Sequence, residues 1–372
     1  MGDTNISSLH IAVIAEQRST YLNVGYTSEE CAALPHDGEL NAVAAAIGDL
    51  GHNVTLVPGL HSLVEHLAAG THKDWDLAFN LSQGFHGSAR EAHVPALLEA
   101  YQIPYTFSDA ATMALCQNKG HTKVSAGLEH ASLIRLLSLN GCKMILDYYG
   151  ISNAPFMLIP AGQLSPPGHT TLPRPCPLFV KPATEGSSKG IDGFNKVDNY
   201  EELLLAVQKL RTRYPGQDIL VESFLSGREF TISILGTGTS SQVIGVREHI
   251  WQTPLPNEDK HMAKQEYASW KSKSSENCLL QYHDSHDMDD PLIKAACQVA
   301  LDAWNALNCR DAGRVDIRFN SNELDPTPNV IEVNPIAGLL PGHSPLPQSA
   351  LQHGISFKEL LAAIINGCLD RR

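Results

Sequence analysis

The chain has 372 residues, a formal net charge of −13, 43% hydrophobic residues and 18% charged residues. That length suits two or three lobes, and an acidic balance without a Lys/Arg cluster excludes a nucleic-acid backbone as partner. No apolar run reaches about 18 residues, and MGDTNISSLHIAVIAE has no basic stretch ahead of a long apolar one, so no membrane span, no secretory signal and a cytoplasmic location are expected.

In chain order, residues 9–15 (LHIAVIA) read as a buried strand. Leu40, Val43, Ala44, Ile47 and Leu50 follow at helical spacing, with Asp37 as N-cap and Gly51 as stop. Residues 54–57 and 76–80 are the next strands, and residues 94–101 a helix; this strand–helix order predicts a parallel sheet. Residues 160–177 hold six prolines and read as an exposed loop. Short strands follow at 178–181, 219–222 and 230–235, the last turning through 236–240 into a hairpin partner at 242–248. The polar stretch 256–290 reads as a mobile flap, and the run His283-Asp-Ser-His286-Asp287 within it as a polar loop in preference to a metal site. Asp290-Pro291 opens a helix that buries Leu292, Ala296, Val299, Ala300, Trp304 and Leu307, and Ser356-Phe-Lys-Glu359 is a capping box for the last one. The cysteines at 31, 116, 142, 176, 278, 297, 309 and 368 lie far apart with no CxxC pair, so reduced thiols are expected, with no zinc or disulfide framework.

The strongest chemical signal is LFVKPATEGSSKGI at 178–191. A strand delivers Lys181 to its end, and the Gly/Ser-rich loop behind it can aim backbone N–H groups at phosphate oxygens. There is no GxxxxGK[ST], so this is not a P-loop. Gly186-Ser-Ser188-Lys-Gly190 matches the G-x-S-x-G elbow of serine hydrolases, but Pro182 interrupts the approach and IDGFNKV is poor helix sequence. A second signal lies near the C-terminus. Arg314 and Asp316 share one strand face in RVDIRF, as do Glu332 and Asn334 in IEVN; neighbouring strands would bring together an arginine, two carboxylates and an amide oxygen, a donor set suited to Mg²⁺ with bridging phosphates. Between them, Glu222 and Glu229 in ESFLSGRE are candidate acceptors for a nucleoside, with solvated surface carboxylates as the alternative; Gly236-Thr-Gly238 reads as a turn.

In this order, VKPATEGSSKGI, ESFLSGREFTISILG, RVDIRFN and EVNPIAGLLPGHSPLP, together with FNLSQGFHGSAREAHVPALLEAYQIPYTFSD near the N-terminus, resemble the D-alanine–D-alanine ligase family of ATP-grasp enzymes. The resemblance implies an α/β, three-lobed ATP-grasp fold with an N-terminal parallel-sheet (pre-ATP-grasp) domain. Its expected parts are a substrate domain at 1–115, a central lid at 116–219 with an insertion near 124–142, and a C-terminal subdomain at 220–372 carrying the metals. It implies ATP and two Mg²⁺ ions as cofactors, amino-acid or carboxylic-acid and amine substrates, and a homodimer. The activity implied is ADP-forming ligation of a carboxylate to an amine, giving a dipeptide or amide through an acyl phosphate. A catalytically impaired nucleotide-binding relative and a hydrolase using Ser188 are the alternatives.

Residue by residue, the resemblance places Lys181 on the ATP phosphates under the loop of Glu185, Gly186, Ser187 and Ser188. Glu222, Phe224 and Leu225 face adenine, and Glu229 the ribose. Asp316, Glu332 and Asn334 ligate the metals. Arg314 and the Gly338 backbone stabilise the tetrahedral intermediate, Ser344 contacts the second substrate, and Glu91 is the acid of the substrate pocket. Lys271, or Lys273 nearby, is the flap lysine, and the second ATP lysine is Lys123 or Lys143. Three departures stand out. The family's Gly-Gly-x-Ser-x-Glu loop is replaced by Ala15-Glu-Gln-Arg-Ser19, Gln83 stands where these ligases carry His, and Ala337 replaces a proline. The first two fall in the expected amino-acid pocket, so the resemblance does not extend to D-alanine itself.

Overall fold

The computed structural model describes residues 8–119, 142–163, 172, 176–251, 266–267, 280–323 and 325–371. The first strand, β1 (His10–Ala15), is buried along nearly its whole length, the pattern of a central strand covered on both faces. It pairs in parallel with β2 (Asn53–Pro58) on one side and β3 (Leu77–Asn80) on the other. Three short helices belong to the loops around this sheet: α1 (Arg18–Asn23) after β1, and α2 (Asp37–Asp49) and α3 (Gly59–Ala69) flanking β2. Asp37 is the first residue of α2 and His36 the cap, one position earlier than the sequence suggests; Asp37 and Glu39 in the first turn then oppose the helix dipole. Helices α4 (His93–Ala100) and α5 (Ala110–Gln117) complete this lobe, and the short α6 (Cys142–Tyr148) follows.

The central sheet is antiparallel. β4 (Phe156–Ile159), β5 (Leu178–Pro182), β6 (Lys196–Val197) and β7 (Ile219–Ser223) take the order β4-β7-β5-β6. Helix α7 (Tyr200–Arg213) covers it, capped by the Asn199 side chain, with Glu201 and Glu202 in its first turn and Arg211 and Arg213 in its last. Leu203, Ala206, Val207 and Leu210 of α7 bury against Leu178, Val180, Ile219 and Val221.

The third sheet carries β8 (Glu229–Leu235), β9 (Gln242–Trp251), β10 (Leu280–His283), β11 (Ala312–Phe319) and β12 (Pro328–Asn334) in the order β10-β9-β8-β11-β12, all antiparallel. β10 corrects the reading of 256–290 as flap throughout: its last three residues are exposed on the sheet edge, which is why the segment reads as polar loop. Helix α8 (Pro291–Ala306) begins as expected, with the Asp290 side chain accepting from Leu292 N and proline in the first turn. It seats Trp304 beneath β11; a Cβ at Gly313 would lie 2.6 Å from the indole and 2.4 Å from the Asn334 carbonyl, so only glycine fits there. Helices α9 (Pro345–Gln352) and α10 (Phe357–Leu369) close the chain, the latter with the expected Ser356/Glu359 capping box. The core under α2 and α10 is shared, joining Val13 and Leu77 of the parallel sheet to Leu235, Ala312 and Leu339 of the third lobe. Among the described residues no helix is long and apolar enough to cross a membrane, and no disulfide forms.

Candidate active site

A cavity lies between β5 and β7 on one side and β11 and β12 on the other. Strand alternation sends Lys181 from β5 into it, where its Nζ sits 2.5 Å from Glu222 Oε1. The antiparallel register sets Asp316 directly opposite Glu332 and Arg314 opposite Asn334. Thr231 donates to Asp316 Oδ1 at 2.7 Å, and the Asn334 amide donates to Oδ2 at 3.3 Å, which turns the Asn334 carbonyl oxygen away from Asp316. Arg314 Nε lies 3.9 Å from Asp316 Oδ1.

Lys119 reaches Glu332 Oε1 at 2.8 Å and donates to the Glu185 carbonyl at 2.5 Å. Lys119 thereby joins Lys123 and Lys143 as a candidate for the second lysine at the nucleotide, one that the sequence motifs do not single out. Helix α5 ends at Gln117, and the Lys119 N–H bonds the Ala183 carbonyl at 3.0 Å, pinning this lysine beside the loop. Lys123, Lys271 and Lys273 lie outside the described residues, as does the side chain of Lys143. Burial alone would raise the Glu332 pKa, but Lys119, then Lys181 and Arg314, hold it below the usual carboxylate range. Lys181 and Glu332 line the same cavity from its two walls.

The loop after β5 turns on two left-handed residues, Ser187 (φ 52°) and Ser188 (φ 59°), a conformation that costs energy outside glycine and concentrates at functional loops. Glu185 is engaged by the protein itself: Lys189 at 2.5 Å, Gln217 at 2.7 Å and Arg90, from the N-terminal lobe, at 3.7 Å. Its carboxyl is held low by Lys189 and Arg90 against the effect of burial. Strand β5 includes Pro182, and no helix starts until Tyr200, so the elbow a Ser188 hydrolase needs is not built.

Phe224, Leu225 and Glu229 line the far end of the cavity with Phe179 and Tyr267. Gly338 and Ser344 meet outside it: a Cβ on Gly338 would lie 2.8 Å from Ser344 Oγ, which accepts from Leu340 N at 3.1 Å. Glu39 reaches the same loop, accepting from Leu339 N at 2.7 Å, and burial raises its pKa. Glu91 stands behind the metal-binding candidates, its pKa pushed up to about 7 by burial against the pull of Arg90 and Lys119. The acid at the end of β1 is Glu16, bonded by Ser82 Oγ at 2.5 Å and Gln83 N at 2.9 Å. In the other predicted cluster, Asp284 is held bidentately by Arg247 at 2.7 and 2.8 Å, which leaves a polar loop.

Among the described residues no group of three His, Cys, Asp or Glu side chains is placed to hold a metal. The donor set of two carboxylates and one amide oxygen nevertheless fits Mg²⁺, which takes one or two protein carboxylates and completes its shell with water and phosphate oxygens.

A cavity framed by an antiparallel lid and a carboxylate-bearing sheet, beside a parallel-sheet lobe, defines an ATP-grasp architecture. The family described as D-ala D-ala ligase C-terminus matches residues 148–366. The D-alanine–D-alanine ligase of Xanthomonas axonopodis pv. citri is 29% identical over 348 residues, covering 93% of this chain and 92% of that protein. The D-alanine–D-alanine ligase of Gluconobacter oxydans is 27% identical over 351 residues, covering 94% and 98%. An ATP-complexed D-alanine–D-alanine ligase structure from Bacillus anthracis superposes with a TM-score of 0.69 at 20% identity, covering 98% of each chain. The chain belongs to the D-alanine–D-alanine ligase family, ATP-dependent ligases that form C–N bonds.

Proposed function

We propose that the protein activates a carboxylate substrate with ATP as an acyl phosphate and transfers the acyl group to an amine, with the divisions 1–115, 116–219 and 220–372 as its working parts. The observation that carries this reading is the convergence of Lys181, Lys119, Arg314, Asp316 and Glu332 on one cavity. Lys181 and Lys119 meet the triphosphate, and the 185–190 loop lies along it. A substrate carboxylate oxygen attacks the γ-phosphorus, the bond to ADP breaks, and the amine then attacks the acyl carbon. Arg314 and the Gly338 N–H face the negative charge of the tetrahedral intermediate, which collapses as phosphate leaves. Asp316, Glu332 and the Asn334 oxygen would hold Mg²⁺, which neutralises charge on the transferring phosphoryl group when bound. Glu222 and Glu229 meet the adenine and ribose, and Ser344 with Glu39 beside it shapes the second-substrate end.

Support for a substrate other than D-alanine comes from the N-terminal lobe, where Ala15-Glu-Gln-Arg-Ser19 and Gln83 stand in place of the family's Gly-Gly-x-Ser-x-Glu loop and histidine. The test is ADP release with ATP and Mg²⁺ over a matrix of amino and carboxylic acids. ADP formation that requires both an acid and an amine is expected. Nucleotide binding without any amine-dependent ADP would overturn the ligase reading in favour of a non-catalytic relative.

A further inference from the structure

Arg314, Asp316 and Arg318 sit at alternate positions of β11 and all line the cavity. The first two have roles at the reacting end; Arg318 does not, yet it is only 7% exposed. Its guanidinium is held on three sides. One nitrogen donates to Glu229 Oε2 at 3.0 Å, another donates to the Glu266 carbonyl at 2.7 Å, and the group stacks 5.0 Å from the Phe224 ring centre. Its Nε finds no acceptor among the described residues.

These contacts join the third sheet to residues 266–267 and to Phe224. Residues 266–267 are fastened to the central lobe, where Lys196 ion-pairs with the Glu266 carboxylate and the Tyr267 hydroxyl donates to the Asp192 carbonyl at 2.9 Å. The Tyr267 ring meets Phe179 at 4.9 Å, walling the aromatic end of the cavity. Arg318 anchors the same two residues to the third sheet. Glu229 is meanwhile fixed between Arg318 and His249, whose Nδ1 lies 3.6 Å from its other oxygen. Burying a guanidinium is expensive, and an apolar side chain would fill this strand position at lower cost. The arrangement therefore points to a task for the charge.

We propose that Arg318 is a positioning residue for the nucleotide sugar. It aims the Glu229 carboxylate at the ribose hydroxyls and holds residues 266–267 across the base end, and so sets a preference for ribo- over 2′-deoxyribonucleoside triphosphates. The inference rests on the nucleotide reading above, in which Glu229 meets the ribose. A carboxylate held in one orientation accepts a hydrogen bond from a 2′-hydroxyl that a deoxy sugar does not supply, and sites built to bond a hydroxyl reject the analogue lacking it. Without Arg318, Glu229 is free to turn and that discrimination falls.

Calorimetric titration of the full chain with Mg²⁺-ATP and Mg²⁺-2′-deoxyATP, alongside thermal melts, tests this on the natural protein, Arg318→Met and Arg318→Lys. The natural protein is expected to favour ATP by about tenfold or more. Arg318→Met should lose about tenfold in ATP affinity and much less for the deoxynucleotide, bringing the ratio towards one, with Arg318→Lys between the two. A folded Arg318→Met that keeps the natural ratio, or weakens both ligands equally, overturns the proposal; if that variant does not fold, Arg318→Lys decides by the same criterion. A natural protein that binds neither nucleotide removes the nucleotide reading itself. One that binds both equally removes only the sugar-reading role.

Discussion

The cavity and the loops of the N-terminal lobe are held together by different forces. In the region proposed for the triphosphate, charged side chains meet opposite charges: Lys181 with Glu222 and Lys119 with Glu332 from different segments, Arg90 with Glu185 from another lobe, and Lys189 with Glu185 within one loop. At the substrate end, Glu16 and Glu39 are met by a hydroxyl and backbone N–H groups instead. The difference has a chemical meaning. Paired lysines and carboxylates can exchange partners, so under the proposed function phosphate oxygens and a cation would take over contacts these side chains make with one another. Carboxylates held by backbone keep their position and define a shape.

The largest expected effect lies at the exchangeable end. Glu332→Gln should cut ADP formation roughly a thousandfold with the melt still cooperative, read by coupled ADP assay and calorimetry. Lys119→Met should cost roughly a hundredfold in the same assay, and a variant near natural activity would dissolve the Lys119–Glu332 pairing as a nucleotide contact. The substrate end should respond in a different parameter: Glu39→Gln is expected to raise the amine KM about tenfold with kcat within about threefold, whereas equal loss of kcat would place Glu39 with the catalytic set.

The smallest effect concerns Glu91. Its pKa in the folded chain, about 7, stands above the value of 4.5 for a free side chain. A raised folded pKa contributes stability that is complete below the unfolded value and is lost as pH rises through the folded one. Glu91→Gln should therefore match the natural protein near pH 4.5 and melt higher at pH 8, by roughly 3 °C. Equal pH dependence in both proteins would show that the carboxyl is not desolvated.

The grouping of Arg314, Asp316, Glu332 and Asn334 was largely legible because strand alternation writes it locally. Arg314 with Asp316, and Glu332 with Asn334, are spaced two apart, and pairing of the two strands needs only a short connection. The caps at Asp290 and Ser356 are equally local. Lys119 was not legible, since its place depends on a backbone bond to Ala183 across the intervening chain. Nor was Glu39, an acid beside the apolar residues Leu40 and Val43 of α2 that accepts from a backbone N–H on a loop 300 residues away. Arg318 was visible in RVDIRF as an alternating residue, but its contacts with Glu229 and the Glu266 carbonyl appear only in the folded chain. The region proposed for the substrates brings together Glu16, Glu39 of α2, Ser82–Gln83 and Leu339, and periodicity carries no information about such contacts.

The most direct measurement of the central claim is Mg²⁺-dependent ATP binding to the natural protein, Lys181→Met and Glu332→Gln by titration calorimetry. If both walls close on one triphosphate, Mg²⁺ tightens ATP binding to the natural protein. Each variant should then lose about tenfold or more, and Glu332→Gln should also lose the Mg²⁺ increment. ATP that binds with unchanged affinity after either substitution would contradict the account.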